Sequence, residues 1–297
     1  MKTPRNQRTL ANECEIGGTG YWSGNPVRVR LRPAPPSTGI VLVRGDLPGQ
    51  PSCPAHVQYR DEASLRTNLV RGDARFQMVE HVMAALYAME VDNAIVEIDG
   101  EEFPGLDGSS QAYTDKIQAV GTNSQPSTRR RLVLEQMITL HDGDAWITAS
   151  PVINNRAHFG YELSFDHAGE IPNQCFHVGC TPKQFRHEVG PARTFVTETQ
   201  AKQLQSSGVA THVTYQDLLV FGSDGVLDNR LRFANECARH KTLDLIGDLA
   251  LAGVELIGKF VSHRGGHRLN GRMAEALFQL AESTQTGHRP RAARQAA

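Results

Sequence analysis

The chain has 297 residues, 39% of them hydrophobic and 21% charged, and its formal net charge at pH 7 is −1. This balance is typical of a globular protein with one large domain or two of ordinary size, and it excludes a general electrostatic attraction to nucleic acid or anionic membranes. No apolar run approaches the length of a membrane span, and the N-terminal MKTPRNQRTL lacks the apolar core of a signal peptide.

The first half of the chain predicts strands and two helices from the periodicity of its apolar residues. The predicted strands are 7–16, 27–31, 39–44 and 93–98, and the predicted helices are 78–89 and 111–120. The glycine-rich stretch 17–24 lacks the lysine of a phosphate-binding loop and precedes a strand. We therefore interpret it as the turn of a hairpin.

The second half repeats this order of strands followed by helices, although no short sequence repeat is visible. The predicted strands are 132–139, 145–150, 159–165, 175–178, 213–221 and 254–261, and the predicted helices are 182–187, 197–207, 238–249 and 272–281. Residues 121–131 have the composition of a linker, which predicts an N-terminal α+β domain at 1–125 and a C-terminal α+β domain at 126–282. Residues 283–297 are polar and basic, and we predict a disordered tail there.

The cysteines bear on the cellular compartment. They are odd in number and widely spaced, without the close pairs of a cysteine-based zinc site. The five positions are Cys14, Cys53, Cys175, Cys180 and Cys237. We expect free thiols in a reducing cytoplasm.

The predicted helix at 238–249 carries a row of polar side chains along an otherwise apolar surface. His240, Asp244 and Asp248 are four residues apart, so all three project from one side, with Lys241 beside them. Buried polar groups must be paired or must bind something. Two interpretations remain open: ordinary pairing on a partly exposed helix, or a zinc-type metal for which His240 and Asp244 are two ligands.

A second polar pair, Glu80 and His81, opens the apolar helix predicted at 78–89. Acidic residues are favoured in the first turn of a helix, so a solvated first turn is one interpretation. The other is that neutral His81 is a metal ligand while Glu80 acts as a base.

Short motifs occur in the same order along nearly the whole chain as in one known family. They are QRTL at 7–10, LRPAP at 31–35, VEH at 79–81, DNA at 92–94, LDGS at 106–109, ARTF at 192–195, RHKTLDLIGDL at 239–249 and GHRLN at 266–270. Each motif alone is weak, but the ordered set is specific. The chain resembles the zinc-dependent UDP-3-O-acyl-N-acetylglucosamine deacetylases (LpxC) of lipid A biosynthesis.

The resemblance implies an α+β fold with two domains of similar topology. Each domain would be a β-sheet layered against helices, with the active site between the domains. His81, His240 and Asp244 would hold Zn²⁺, with Fe²⁺ as the alternative, and would leave one position for water. A catalytic zinc site needs such an open position.

The resemblance also implies the roles of the surrounding residues. Glu80 would be the general base and His267 the general acid or electrostatic stabiliser, with Asp248 orienting His267. Thr194 and Lys241 would face the developing oxyanion or the substrate. These roles agree with the general chemistry of metal-assisted amide hydrolysis.

Three departures from the family pattern affect residues around the site. The turn that carries a histidine in the family has Trp22 here, and this residue is not one of the three ligands. The resemblance implies that Phe195 contacts the substrate. The second aromatic after it, which belongs to the nucleotide contact in the family, is replaced by Thr197. The usual lysine before His267 is Arg264, which keeps the positive charge for the substrate.

A fourth departure lies at 212–218, where the family has glycines and small residues lining a passage for the acyl chain. Here the segment contains His212, Tyr215 and Asp217. Because cores tolerate neither overpacking nor unpaired charge, we expect these residues to narrow or close the passage.

The favoured hypothesis is N-deacetylation of UDP-3-O-acyl-N-acetylglucosamine by a cytoplasmic, monomeric enzyme without a membrane span or a nucleic-acid partner. The alternative is a related deacetylase of a different or unacylated N-acetylglucosamine derivative. A third hypothesis is a zinc-retaining binding protein without turnover, which the presence of both Glu80 and His267 disfavours.

Overall fold

The structure is a computed structural model that describes residues 4–63, 65–164 and 171–285. It contains both helices and several layered sheets, which confirms the predicted α+β class. None of the helices within these ranges is long and apolar enough to cross a membrane.

The first half of the described chain folds around a five-stranded sheet and two helices. Its elements are β1 (Asn6–Leu10), β2 (Cys14–Thr19), β3 (Pro26–Pro33), β4 (Ile40–Arg44), β5 (Ser52–Pro54), β6 (Arg60–Asp61), β7 (Asn68–Arg71), β8 (Ala74–Gln77), α1 (Glu80–Ala88), β9 (Ala94–Ile98), α2 (Gln111–Val120) and β10 (Thr122–Thr128). The large sheet has the order β2–β3–β9–β4–β5, in which only β4 and β9 are parallel neighbours. Strands β6 to β8 form a small antiparallel sheet, and β1 pairs with β10.

The second half folds around a six-stranded sheet. Its elements are β11 (Arg131–Val133), β12 (Ile138–Asp142), β13 (Ala145–Ser150), β14 (Ala157–Leu163), β15 (Gln174–Gly179), α3 (Pro182–Gln184) continuing into a π-helical turn (Phe185–Val189), β16 (Phe195–Thr197), α4 (Glu198–Ser206), β17 (Leu219–Gly222), β18 (Gly225–Val226), α5 (Glu236–Ala250), β19 (Glu255–His263) and α6 (His267–Gln285). The large sheet has the order β12–β13–β19–β14–β15, and β11 pairs with β19 in parallel. Strands β16 to β18 form a separate small sheet.

Helices α1 and α5 pack against each other, and this contact positions the polar residues singled out in the sequence. Both helices are buried over most of their length. A Cβ atom at Gly247 would lie 2.0 Å from the backbone oxygen of Glu80. Glycine at this position therefore lets α5 approach the first turn of α1 closely.

The prediction of a hairpin at 17–24 is confirmed, because β2 and β3 pair antiparallel, but residues 17–19 belong to β2 and the turn itself lies at 20–25. The prediction of a linker at 121–131 is wrong, because most of these residues form β10. This strand is polar since it is largely exposed. Its buried Gln125 accepts a hydrogen bond from the side-chain N–H of Asn93 and donates one to the carbonyl of Ala34. The division into domains at 125/126 stays a prediction.

Several other predicted elements have different bounds. The strand predicted at 7–16 is split into β1 and β2, and the strand predicted at 132–139 is split into β11 and β12. The strand predicted at 213–221 begins only at Leu219, because the preceding residues make a turn in which Asp217 bonds back to Thr214. The last helix begins earlier than predicted, at His267, and continues to Gln285. Residues 283–285 of the predicted disordered tail are thus helical, and 286–297 lie outside the described residues.

Candidate metal centre and active site

The three predicted metal ligands meet at the contact between α1 and α5. His81 lies in the first turn of α1, and His240 and Asp244 lie one turn apart on α5. One candidate ligand atom from each residue lies within 4.8 Å of the other two, and all three residues are buried. Asp244 Oδ1 is 3.4 Å from His240 Nε2 and 3.7 Å from His81 Nε2. The polar row of α5 is therefore not on an exposed helix face.

The protonation of this cluster fits a divalent cation. Burial lowers the pKa of His240 to about 4, so its imidazole is neutral, and Nδ1 lies 3.2 Å from the carbonyl of Ala192. Donation of Nδ1–H to that carbonyl leaves the lone pair of Nε2 facing the cluster. Burial alone would raise the pKa of Asp244, but Lys241, with Nζ 2.7 Å from Oδ2, contributes to holding it well below its usual range. Two imidazole nitrogens and one carboxylate form a donor set typical of zinc.

Glu80 is buried beside His81 rather than solvated at an open helix end. Its Oε2 accepts a hydrogen bond of 3.0 Å from the backbone N–H of Thr67. Burial raises the pKa of the Glu80 carboxyl, although the nearby histidines His267 and His81 oppose the shift. A carboxylate in such a place takes up a proton more readily than one in water.

His267, the first residue of α6, lies on the other side of the cluster. Its Nδ1 is 3.0 Å from Asp248 Oδ2, and its Nε2 is 3.9 Å from Asp244 Oδ2. Burial would lower the pKa of His267, but Asp248 outweighs it and raises the pKa to about 9. The imidazole is therefore protonated at neutral pH, with its Nδ1–H directed at Asp248.

Two further residues hold Asp248, and neither was assigned a role from the sequence. Thr67 donates its hydroxyl to Asp248 Oδ1 at 2.5 Å, and Asn270 donates its side-chain N–H to Oδ2 at 2.9 Å. The oxygen of Thr67 also lies 3.2 Å from His267 Nδ1. Asn270 belongs to a recognised motif, whereas Thr67 stands in a stretch without any sequence signal.

The remaining predicted residues surround the same centre. Thr194 donates its hydroxyl to the carbonyl of Gly108 at 3.0 Å, and the same oxygen lies 3.2 Å from His240 Nε2. The ring of Phe195 stands edge-on to that of His240, with 6.1 Å between centroids. Thr197, at the position where the resemblance predicts an aromatic residue, caps α4 by accepting a hydrogen bond from the backbone of Gln200.

Most of the predicted site residues open onto one cavity of about 690 Å³, which we call the central cavity. Nine of the ten predicted site residues line it: Glu80, His81, Thr194, Phe195, His240, Lys241, Asp244, Arg264 and His267. Asp248 is the exception and lies behind His267. Apolar side chains supply another part of the wall: Leu163, Ile171, Val196, Leu204, Val213 and Leu218.

The expectation that residues 212–218 narrow or close the apolar passage is wrong for the charged residue. The carboxylate of Asp217 accepts hydrogen bonds from the backbone N–H and the hydroxyl of Thr214, at 2.7 and 2.8 Å. His212 turns away to contact the carbonyl of Gly20 at 2.9 Å. From this segment the central cavity receives the apolar Val213 and Leu218, so its wall carries no unpaired charge here.

Trp22, at the position where the resemblance predicts a histidine, also lines the central cavity. The guanidinium of Arg66 lies over its ring, 4.3 Å from the centroid. Such stacking of a cation on an indole is favourable. Trp22 and Arg66 therefore form a cation–π pair at the wall of the central cavity.

Known proteins match this chain over nearly its whole length. A family model described as UDP-3-O-acyl N-acetylglycosamine deacetylase matches residues 7–279. The chain is 38% identical over 273 residues to the UDP-3-O-acyl-N-acetylglucosamine deacetylase of Thermosynechococcus vestitus, which covers 92% of this chain and 94% of that relative. It is 37% identical over 274 residues to the protein of the same name from Brucella ovis, which covers 92% and 95%.

Proposed function

Because the chain belongs to the LpxC family of UDP-3-O-acyl-N-acetylglucosamine deacetylases, we propose that it removes the N-acetyl group of such a substrate in lipid A biosynthesis. The observation that carries this proposal is the position of Glu80 and His267. The two residues flank the His81–His240–Asp244 cluster, and both line the central cavity.

His81, His240 and Asp244 would hold the metal, with zinc as the favoured ion and Fe²⁺ as the alternative. When bound there, a divalent ion polarises a carbonyl oxygen and lowers the pKa of water. The neutral imidazole of His240 and the ionised carboxylate of Asp244 are the protonation states that metal ligands need. The fit thus rests on the protonation of the chain's own side chains as well as on their distances.

Glu80 takes the proton of the attacking water in this proposal. Its burial raises the carboxyl pKa, which moves a carboxylate toward the range in which a general base works best at neutral pH. The hydrogen bond from the backbone of Thr67 fixes the direction of the carboxylate.

His267 delivers a proton to the leaving amine. It is charged at neutral pH, and Asp248 holds its Nδ1, so the proton on Nε2 is the one available to the central cavity. Because the amine of the product is a poor leaving group unless protonated, a cationic imidazole at this place suits the second half of amide hydrolysis.

Lys241 and Thr194 stabilise the negative charge that develops on the carbonyl oxygen. A well-aimed donor at such a position contributes about 3 kcal/mol to transition-state stabilisation. The ammonium of Lys241 is held at Asp244 Oδ2, whereas the hydroxyl of Thr194 is directed at the carbonyl of Gly108. Thr194 must therefore rotate its hydroxyl to act as an oxyanion donor.

The apolar wall of the central cavity supports an acylated substrate over an unacylated one. Leu204, Val213 and Leu218 are suited to packing against a hydrocarbon chain, and an unacylated sugar would offer them no apolar surface to bury. A binding protein without turnover has no use for a buried base and a buried imidazolium on either side of the metal ligands.

The test is acetate release by the purified, zinc-loaded protein from UDP-3-O-acyl-N-acetylglucosamine and from UDP-N-acetylglucosamine in parallel. We expect turnover of the acylated substrate and little of the other. Turnover of only the unacylated sugar would replace the proposal by its alternative. A zinc-loaded protein that binds both compounds and releases acetate from neither would be a binding protein.

A further inference from the structure

A second cavity, which we call the rear cavity, lies between the two halves of the chain and away from the metal ligands. Its volume is about 770 Å³, and it shares no lining residue with the central cavity. Helix α1 begins at the central cavity with Glu80 and ends at the rear cavity with Ala88. Along β19 the rise from Leu256, at the rear cavity, to His263, which directly precedes Arg264 of the central cavity, is about 23 Å. The two cavities are therefore separate sites.

The wall of the rear cavity is rich in positive charge. Its cationic side chains are Arg5, Arg129, Arg131, Arg156 and Lys183, and its carboxylates are Glu90, Asp92 and Glu255. Cations thus outnumber carboxylates by five to three at a cavity of a protein whose overall charge is only −1.

Each of these carboxylates already has an arginine beside it. Asp92 pairs with Arg5 at 2.6 Å and with Arg129 at 3.0 Å, and Glu255 lies 3.7 Å from Arg5. Glu90 pairs with a residue outside the cavity, Arg8, at 2.9 Å. No carboxylate of the wall is left to neutralise a further cation.

Three cations remain at the same cavity. Within residues 4–63, 65–164 and 171–285, the side chains of Arg131, Arg156 and Lys183 make no hydrogen bond or ion pair. Like charges gathered at one concave site repel each other, so an entering anion is stabilised by all of them.

The deeper arginines also have unused donors. The Nε atoms of Arg5 and Arg129 are buried and lack a hydrogen-bond acceptor, although Asp92 Oδ1 lies 3.0 Å from the Nε of Arg129. Burial lowers the pKa of Arg129 because the nearby Asp92 compensates its charge only in part. The arginines at the floor of the cavity, like the cations at its rim, therefore favour the binding of a negatively charged group.

We propose that the rear cavity binds a small, soluble molecule that carries phosphate groups. Arginine presents a planar fork of donors that matches phosphate oxygens, and Arg131 and Arg156 both have theirs available. The volume lies in the range of small-molecule sites. Tyr87 and Leu256 add a less polar surface for the rest of the ligand. A concave cavity of this size suits such a molecule better than a flat anionic membrane.

The experiment is calorimetric titration of the full-length, zinc-loaded protein with fructose 1,6-bisphosphate as a soluble probe. The test variant is the double substitution R131Q/R156Q, and K183Q is a single substitution at the exposed rim. The charge-matched control is K116Q/K259Q, at two exposed lysines that line neither cavity. R264Q reports on binding in the central cavity instead. Thermal unfolding of each variant shows whether it is folded.

We expect the probe to bind the unmodified protein, K116Q/K259Q and R264Q alike. The dissociation constant should rise at least tenfold in R131Q/R156Q and about threefold in K183Q. Equal weakening in K116Q/K259Q, loss of binding in R264Q alone, or no binding to the unmodified protein would each overturn the proposal. So would binding to phosphatidylglycerol vesicles that requires Arg131 and Arg156 while the soluble probe does not bind. Because the readout is binding, the outcome does not depend on deacetylation.

Discussion

Thr67 and Asp248 are joined by a buried hydrogen bond of 2.5 Å, from the hydroxyl of Thr67 to Oδ1 of Asp248. The backbone N–H of Thr67 also donates to Glu80. One residue thus contacts both the proposed base and the carboxylate behind the proposed acid, His267. Because Thr67 supplies no reacting atom in this arrangement, it is a positioning residue.

Thr67→Val should lower kcat by about 10- to 100-fold, because it removes a hydrogen bond to a charged group worth about 1.5–3 kcal/mol. KM should change little, since Thr67 is not among the residues that line the central cavity. Thr67→Ser should restore most of the rate, which steady-state kinetics would measure. Thr114→Val, at another buried threonine, is the control. Equal rates for the valine and serine variants would contradict the positioning role.

Glu80→Gln should lower kcat by a factor of about 10² to 10⁴, which is the usual contribution of a general base. Glutamine has the shape of glutamate and still accepts the hydrogen bond from Thr67, so the metal content should not change. Turnover and metal stoichiometry are measured on the same preparation. A variant with its metal and an unaltered rate would show that another group accepts the proton.

The sequence predicted part of this site from spacing alone. His240 and Asp244 are one helical turn apart, so their common direction follows from helix geometry. Their meeting with His81 does not, because it depends on the contact of two helices far apart in the chain. Resemblance to a family supplied that step. Thr67 was not predicted by either route, since a threonine in an irregular stretch acquires its contacts only from tertiary packing.

The dependence of contacts on tertiary packing also explains two wrong expectations. Residues 121–131 have a linker's composition, yet most of them form a strand because β1 offers an edge for pairing. Asp217 was expected inside an apolar passage from its position in the sequence. Its carboxylate instead satisfies a local turn with Thr214, which costs less than burying an unpaired charge. Neither the composition of 121–131 nor the position of Asp217 in the sequence indicates which partner these residues bond to.

Removal of the metal by a chelator should abolish turnover and lower Tm. A ligand that binds only the folded state stabilises it, by about 4 kcal/mol when the free ligand is a thousandfold above its Kd. Added Zn²⁺ should reverse both effects. In His81→Ala the chelator should have little further effect on Tm, whereas the exposed-site control His187→Ala should respond like the unmodified protein. If the chelator left the Tm of the unmodified protein unchanged, the metal would not contribute to the stability of the folded state.

Gly247→Ala should destabilise the protein by about 1–3 kcal/mol, the usual cost of overpacking, because the helix contact has no room for a methyl group. The new Cβ would lie 2.0 Å from the backbone oxygen of Glu80 and 2.8 Å from its carbonyl carbon. Backbone atoms cannot swing aside as a flexible side chain does, so α1 and α5 must separate. That separation displaces Glu80 from the candidate ligands on α5, and kcat should fall together with stability.

Urea denaturation measures the loss of stability as a lower midpoint with an unchanged slope. Gly17→Ala is the matched control, because its nearest neighbour would be 3.9 Å away, and we expect a change within about 0.5 kcal/mol there. If Gly247→Ala kept the midpoint of the unmodified protein, the two helices would not approach closely enough to set the distance between Glu80 and the cluster on α5. The geometry on which the proposed mechanism depends would then have to be different.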